Sequence, residues 1–225
     1  MLPSLASRSR TLSLPLNQII CGDALDIIRR LPDKSVDLVV TDPPYGDNIS
    51  YGVHSRTIAG NEHPLVGLSV MAECYRVLKA SASAYMFCGA RHLGFLRTFF
   101  ENYTKYTIRD VLIWDKMVRG QGHGFRRQYE CILALEKGKP RYRSPGLPNV
   151  LRFQRVRAIR HPHEKPVELI ETLIRQGSDE GNVVLDPFVG SGTTAVAARN
   201  LNRCYIGIEL APTYAQISEE RLQAA

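Results

Sequence analysis

Four adjacent residues, Asp42-Pro43-Pro44-Tyr45, bring together a carboxylate, two backbone carbonyls and an aromatic ring. A Pro-Pro pair cannot continue a sheet ladder, and a residue before proline is driven toward extended geometry. Asp42 and the carbonyls of Pro43 and Pro44 are therefore acceptors held at fixed positions beside Tyr45. Such a set suits a flat ring that carries an amino group. Tyr45 can stack on the ring face, as happens where an extruded nucleobase is modified. Asp42 and the Pro43 carbonyl can accept the two amino hydrogens. Accepting both draws the nitrogen lone pair out of conjugation and leaves it able to attack an electrophile. A strand that merely ends in aspartate and a proline turn is common, so Asp-Pro alone carries little weight. The whole tetrapeptide at the end of an apolar run is far more specific.

A second constellation lies near the carboxyl terminus. Val183-Val184-Leu185-Asp186-Pro187-Phe188-Val189-Gly190-Ser191-Gly192-Thr193-Thr194-Ala195 reads as strand, tight turn and helix. Gly190, Gly192 and Ala195 satisfy the Gly-x-Gly-x-x-Gly/Ala dinucleotide fingerprint, and Glu209 lies 19 residues after Gly190 at the end of another strand. A nicotinamide or flavin ligand is one reading. Asp186 argues against it, because a carboxylate beside the turn repels a pyrophosphate. It favours a ligand with an ammonium and a sulfonium, which S-adenosylmethionine supplies. Glu209 can hold ribose hydroxyls in either reading. Phe188 can pack on apolar parts of the ligand. The chain has no Gly-Lys-Ser/Thr for a nucleoside triphosphate.

The elements that must position these groups follow from periodicity. Gln18–Cys21 reads as a short strand, then Gly22-Asp23-Ala24-Leu25 opens a helix to about Leu31. Ser35–Thr41 is a buried strand whose carboxyl end delivers Asp42, the edge at which open α/β sheets place ligands. Residues 46–64 are polar, aperiodic and contain Gly and Pro, as a lid or DNA-contacting loop does. Helices are expected at about Leu65–Leu78 and His92–Asn102, and strands at Ala82–Cys88, Tyr106–Trp114 and Tyr129–Leu135. His161-Pro162-His163-Glu164-Lys165-Pro166 opens a helix to about Gln176. His161 and His163, two apart and without a third ligand, make no metal site. Cys204–Ile208 is the strand before Glu209.

With 225 residues, 44% hydrophobic and 23% charged, one domain with a sizeable core is expected over 17–225, preceded by a mobile arm at 1–16. No apolar run approaches the roughly 20 residues of a membrane span. Five scattered cysteines without Cys-x-x-Cys read as reduced core thiols of a cytoplasmic protein. The net charge of +7 suits a polyanionic partner. Lys116, Arg119, Arg126 and Arg127 lie among glycines. Between Lys137 and Arg160 eight Lys or Arg occur without an acid, including Lys137, Lys139, Arg141, Arg143, Arg152, Arg155 and Arg157. A charge run is usually a solvated face. Here it is one-signed and adjoins a site built for a base, so phosphate contact is expected.

Asp-Pro-Pro-Tyr is the signature of the amino-group DNA methyltransferases, and the chain resembles that family from Cys21 to about Leu222. Catalytic strand first and cofactor strand last resembles its circularly permuted, or beta, class. The resemblance implies a Rossmann-like α/β fold: a seven-stranded, mostly parallel sheet with one antiparallel edge strand and helices on both faces. It implies methyl transfer from S-adenosylmethionine to the N6 amino group of adenine in double-stranded DNA by base flipping, with Asp42, Pro43, Pro44 and Tyr45 catalytic. Cofactor contacts fall to Asp23, Ala24, Lys165, Asp186, Pro187, Phe188, Gly190, Ser191, Gly192, Thr193 and Glu209. Residues 116–160 become a short target-recognition region, and the longer members' carboxyl-terminal DNA-binding segment is lacking. N4-cytosine methylation is the alternative, less expected because cytosine enzymes more often carry Ser at the Asp42 position. RNA methylation and a catalytically dead DNA-binding module rank lower. No metal is implied. A homodimer joined through the 65–78 and 92–102 helices is expected.

Overall fold

The computed structural model describes residues 14–44, 65–120, 124–156 and 164–224. Tyr45, residues 46–64, Arg157, His161, His163 and most of the amino-terminal arm lie outside the described residues.

Strands β1 (Gln18–Cys21), β2 (Val36–Thr41), β3 (Leu78–Cys88), β4 (Thr107–Asp115), β5 (Tyr129–Lys137), β6 (Val150–Arg152), β7 (Val183–Asp186) and β8 (Cys204–Glu209) form one sheet. Their order is β1-β8-β7-β2-β3-β5-β4-β6. All run parallel except β5, which is antiparallel to both β3 and β4. The sheet thus has eight strands where seven are expected, and its antiparallel strand is interior rather than at the edge. The extra strand is β6, which pairs Ile113 with Val150 through Asp115 with Arg152. It is three residues long inside a basic stretch, so no apolar alternation announces it. The β4–β5 connection closes as a hairpin, with Lys116 N donating to Gln128 O at 2.9 Å, so β5 returns antiparallel.

The parallel strands end on a common edge. Cys21 pairs with Glu209, and Asp186 with Gly207, which places the termini of β1, β8 and β7 side by side. β2 lies next to β7, with Val39 opposite Leu185. β2 is buried on both faces, as an apolar run in a parallel sheet must be. Val36 and Val39 join the core under α1 (Ala24–Ile28), α2 (Leu65–Val77) and α3 (Leu93–Tyr103). Leu38 and Val40 join the opposite core, under α4 (Val167–Gly177), α5 (Thr193–Asn200) and α6 (Pro212–Ala224). Leu38, Val39 and Val40 are fully buried, and each such side chain contributes about 1.5–3 kcal/mol. α4 lies close on β2: a Cβ at Gly177 would meet Leu38 Cδ1 at 2.6 Å. Gly177→Ala would require the buried Leu38 side chain to give way.

Candidate active site

Asp42 is the first residue beyond β2. Behind it Pro43 is buried, and α2 approaches so closely that a Cβ on Gly67 would stand 3.0 Å from Pro43 Cβ. The rigid Pro-Pro step is therefore clamped between the strand it leaves and a helix. Opposite Asp42 lies Lys165, whose side chain is only 9% exposed. Its ammonium donates to Asp42 Oδ2 and stands 3.3 Å from Glu130 Oε2. Glu130 in turn pairs with Lys116 at 2.6 Å. The Phe87 and Trp114 rings flank the Lys165 ammonium at 5.2 and 5.9 Å. Asp42, Lys165, Glu130 and Lys116 thus form one chain of alternating charge.

Its electrostatics are set by that alternation. Burial by itself would raise the Glu130 carboxyl, but Lys165 and Lys116 outweigh it and hold Glu130 at about 2. Burial would lower the Lys165 ammonium, while Asp42 and Glu130 more than offset this and raise it above the ordinary lysine range. Glu130 and Lys165 both stay ionised at neutral pH. Sequence reasoning assigned Lys165 to the cofactor; the structure places its ammonium on Asp42 and Glu130. It missed Glu130 altogether. The available signal was a single acid directly before the apolar run from Cys131 to Leu135, close after the basic loop.

A second cluster surrounds the Gly190–Thr193 turn. Asp186 is buried at the tip of β7; its Oδ1 accepts from Phe188 N at 3.0 Å and its Oδ2 from Thr194 Oγ1 at 2.6 Å. Burial pushes its carboxyl up to about 6 against these hydrogen bonds, with a further push from Asp42. Glu209 accepts from Gly190 N at 3.0 Å and Ala211 N at 2.9 Å, and burial raises it too. Gly190 and Gly192 sit at positive φ, 53° and 84°. Ser218 on α6 pins the turn by donating to Gly190 O at 2.6 Å. Asp23 caps α1 by accepting from Asp26 N at 3.0 Å, and Ala24, buried, begins that helix. Asp186 and Glu209 line the turn, and since β1, β8 and β7 are neighbours, Asp23 stands beyond the adjacent strand end. Three carboxylates are a poor cradle for a pyrophosphate, whereas they complement a cationic ligand with ribose hydroxyls.

Arg221 on α6 is another residue sequence reasoning missed. Its Nη1 donates to Ser191 O at 3.2 Å and Thr193 Oγ1 at 3.0 Å and pairs with buried Glu164 at 3.0 Å. It ties the glycine turn to the segment that carries Lys165. Among the described residues no group of three His, Cys, Asp or Glu is arranged to hold a metal ion, and no helix is long and apolar enough to cross a membrane.

Residues 36–151 and 147–220 match the DNA methylase family of N6 and N4 amino methyltransferases. The chain belongs to this family. The DNA adenine methyltransferase YhdJ of Escherichia coli K12 is 31% identical over 92% of this chain and 83% of its own. Among solved structures, the M1.HpyAVI complex with SAM superposes with a TM-score of 0.72 at 27% identity, covering 91% of this chain and 98% of that one. The cytosine-N4-specific PvuII methyltransferase gives a TM-score of 0.77 at 19% identity over 90% and 85% of the two chains, a likeness of fold alone. The fold is that of the Rossmann-like methyltransferases.

In this DNA methylase the basic residues divide. Arg119, Arg126 and Arg127 are exposed on the β4–β5 loop, and Arg152 and exposed Arg155 follow from the carboxyl end of β6, on the same edge of the sheet as Asp42. Lys116 is held by Glu130 there. Lys137, Lys139, Arg141 and Arg143 lie at the opposite edge, because β5 is antiparallel and Lys137 pairs with Ala82 near the start of β3. Lys137 Nζ donates to Tyr75 O and Leu78 O, both at 2.6 Å. Arg143 donates to Asp179 at 2.7 Å and to Arg141 O at 2.6 Å. The expected phosphate-binding run is thus split across the molecule: Lys137 and Arg143 serve the fold, and Lys139 and Arg141 are exposed at the opposite edge.

Proposed function

We propose that this DNA methyltransferase acts on the N6 amino group of adenine in double-stranded DNA, taking the methyl group from S-adenosylmethionine, and that it belongs to the permuted beta class. The observation that carries the reading is Asp42 on a rigid Pro-Pro step, at the same sheet edge as an acid-lined glycine turn. Asp23, Ala24, Asp186, Pro187, Phe188, Gly190, Ser191, Gly192, Thr193 and Glu209 are the residues that would hold the cofactor. Bound there, it supplies an electrophilic methyl on a sulfonium. Asp42 and the Pro43 carbonyl accept from the amino group of the extruded base and turn its lone pair outward, and Tyr45 stacks on the ring. Lys165, anchored by Glu130, fixes the rotamer of Asp42. No nucleophilic side chain is required. Holding the amine in line with the methyl can lower the barrier by roughly 7–11 kcal/mol.

Adenine is favoured over cytosine by the carboxylate at position 42 and by the 31% identity to an adenine enzyme. Arg119, Arg126, Arg127, Arg152 and Arg155 contact phosphates. A cytoplasmic homodimer is part of the same reading: Val66 on α2 and Phe95 and Tyr103 on α3 are exposed apolar residues suited to an interface. Incubation with unmethylated duplex and labelled cofactor, followed by mass spectrometry of the nucleosides, tests the reaction. N6-methyl-2′-deoxyadenosine is expected. N4-methyl-2′-deoxycytidine, or an unlabelled duplex beside a labelled RNA tested in parallel, would replace the reading.

A further inference from the structure

The loop between β4 and β5 carries its charge on an anchored root. Lys116 N donates to Gln128 O at 2.9 Å and Gly120 N to Arg127 O at 2.8 Å, and a Cβ at Gly120 would meet that carbonyl at 2.7 Å. Asp115 Oδ1 accepts from Met117 N and from Gln128 Nε2, both at 2.9 Å. Beyond this root stands Phe125, fully exposed, between Gly124 at φ 78° and the exposed pair Arg126 and Arg127. Met117 (59%) on this loop and Tyr129 (47%) at the start of β5 are also exposed. A bare phenylalanine ring gives the folded chain no packing energy, and beside two arginines it is not a protein-docking patch of the usual apolar kind. The root is also joined to the site: Lys116 pairs with Glu130, which pairs with Lys165, which holds Asp42.

Resting on the adenine-methylation reading, we propose that Phe125 is a wedge. It enters the base stack of the duplex beside the target and fills the space the extruded base leaves, while Arg126 and Arg127 grip the flanking phosphates. Apolar side chains inserted between base steps lower the cost of unstacking, and arginines at their sides hold the deformed backbone. Phe125 is then a positioning residue: it touches neither cofactor nor reacting amine. The partner chemistry is that of stacked base pairs, so a single-stranded substrate would not need it.

The test compares Phe125→Ala and Phe125→Leu with the wild type on two duplexes carrying the mapped target site. One is fully paired, and the other has an abasic position opposite the target base. On the paired duplex Phe125→Ala is expected to lose about 10- to 100-fold in kcat/KM, because unstacking costs a few kcal/mol per step. On the abasic duplex, where the target is already unpaired, it should approach the wild type. Phe125→Leu should retain most activity on both. Cofactor affinity and melting temperature should not change. Equal losses on the two duplexes, or no loss on either, would overturn the wedge. DNA affinity measured with cofactor present carries the same contrast without turnover. A wild type whose mapped target is cytosine therefore refutes the adenine reading and still leaves the wedge decided on that site.

Discussion

The two edges of the sheet both gather basic residues, and they use them in opposite ways. At the amino edge several charges are consumed by the fold, while Lys139 and Arg141 stay exposed. Lys137 caps the end of α2, Arg143 clamps Asp179, and Arg203 Nη2 donates to Ser178 O at 2.8 Å. At the carboxyl edge Arg119, Arg126, Arg127 and Arg155 are exposed, while the charges nearest Asp42 are paired in a buried chain. A positive net charge is thus two populations, one structural and one open to a polyanion. Partner count separates them; charge count does not.

The sharpest break in this picture is at Asp42 itself. Asp42→Ala is expected to reduce methyl transfer by about 10²–10³-fold, the usual consequence of removing one preorganised hydrogen-bonding group. Cofactor affinity should stay near that of the wild type. Turnover and calorimetry on one preparation check this, and a collapse of cofactor affinity with retained turnover would mean the two pockets are reversed.

Next in size is the ionic chain. Lys165→Met leaves Asp42 and Glu130 facing each other without their cation, and breaking a buried pair costs about 3–5 kcal/mol. Thermal melting should show the loss, together with a fall in kcat larger than any change in cofactor affinity. The pH dependence follows from Glu130. Its folded value of about 2 lies below that of an ordinary glutamate, so its stabilisation is complete above about pH 4.3 and is lost as pH falls toward 2. In Glu130→Gln that acid-limb loss should be reduced.

The cofactor turn gives a smaller effect in the same direction with pH, from a carboxyl shifted the other way. Asp186 is raised to about 6, so in the free protein it is partly protonated at mildly acid pH and ionised at pH 7. A cationic cofactor prefers the ionised form. S-adenosylmethionine affinity should therefore rise about tenfold between pH 5 and pH 7, and Asp186→Asn should flatten the dependence. Asp186→Asn and Glu209→Ala should each weaken binding by about 1.5–3 kcal/mol. An NADH affinity equal to that for S-adenosylmethionine would restore the dinucleotide reading.

Much of the scaffold is legible in the sequence because local rules determine it. The runs ending in Asp42, Asp186 and Glu209 are apolar on both faces, stop at a carboxylate and meet turn residues at once. What is not legible depends on distance along the chain. Lys165 meets Asp42 across 123 residues, and Arg221 reaches Ser191 across 30; neither pairing has a local signature. Glu130 is hidden by the strand it belongs to. The division of the basic run depends on the direction of β5, which only the sheet order reveals.

If DNA is engaged at the carboxyl edge alone, the salt dependence of DNA binding shows it most directly. Removing one phosphate-binding cation should flatten the slope of log K against log salt by about 0.9. Arg126→Ala with Arg127→Ala is predicted to flatten it by about 1.8. Lys139→Ala with Arg141→Ala removes the same charge from the amino edge and is predicted to leave the slope unchanged. Equal flattening by the two double variants would contradict the division of the two edges.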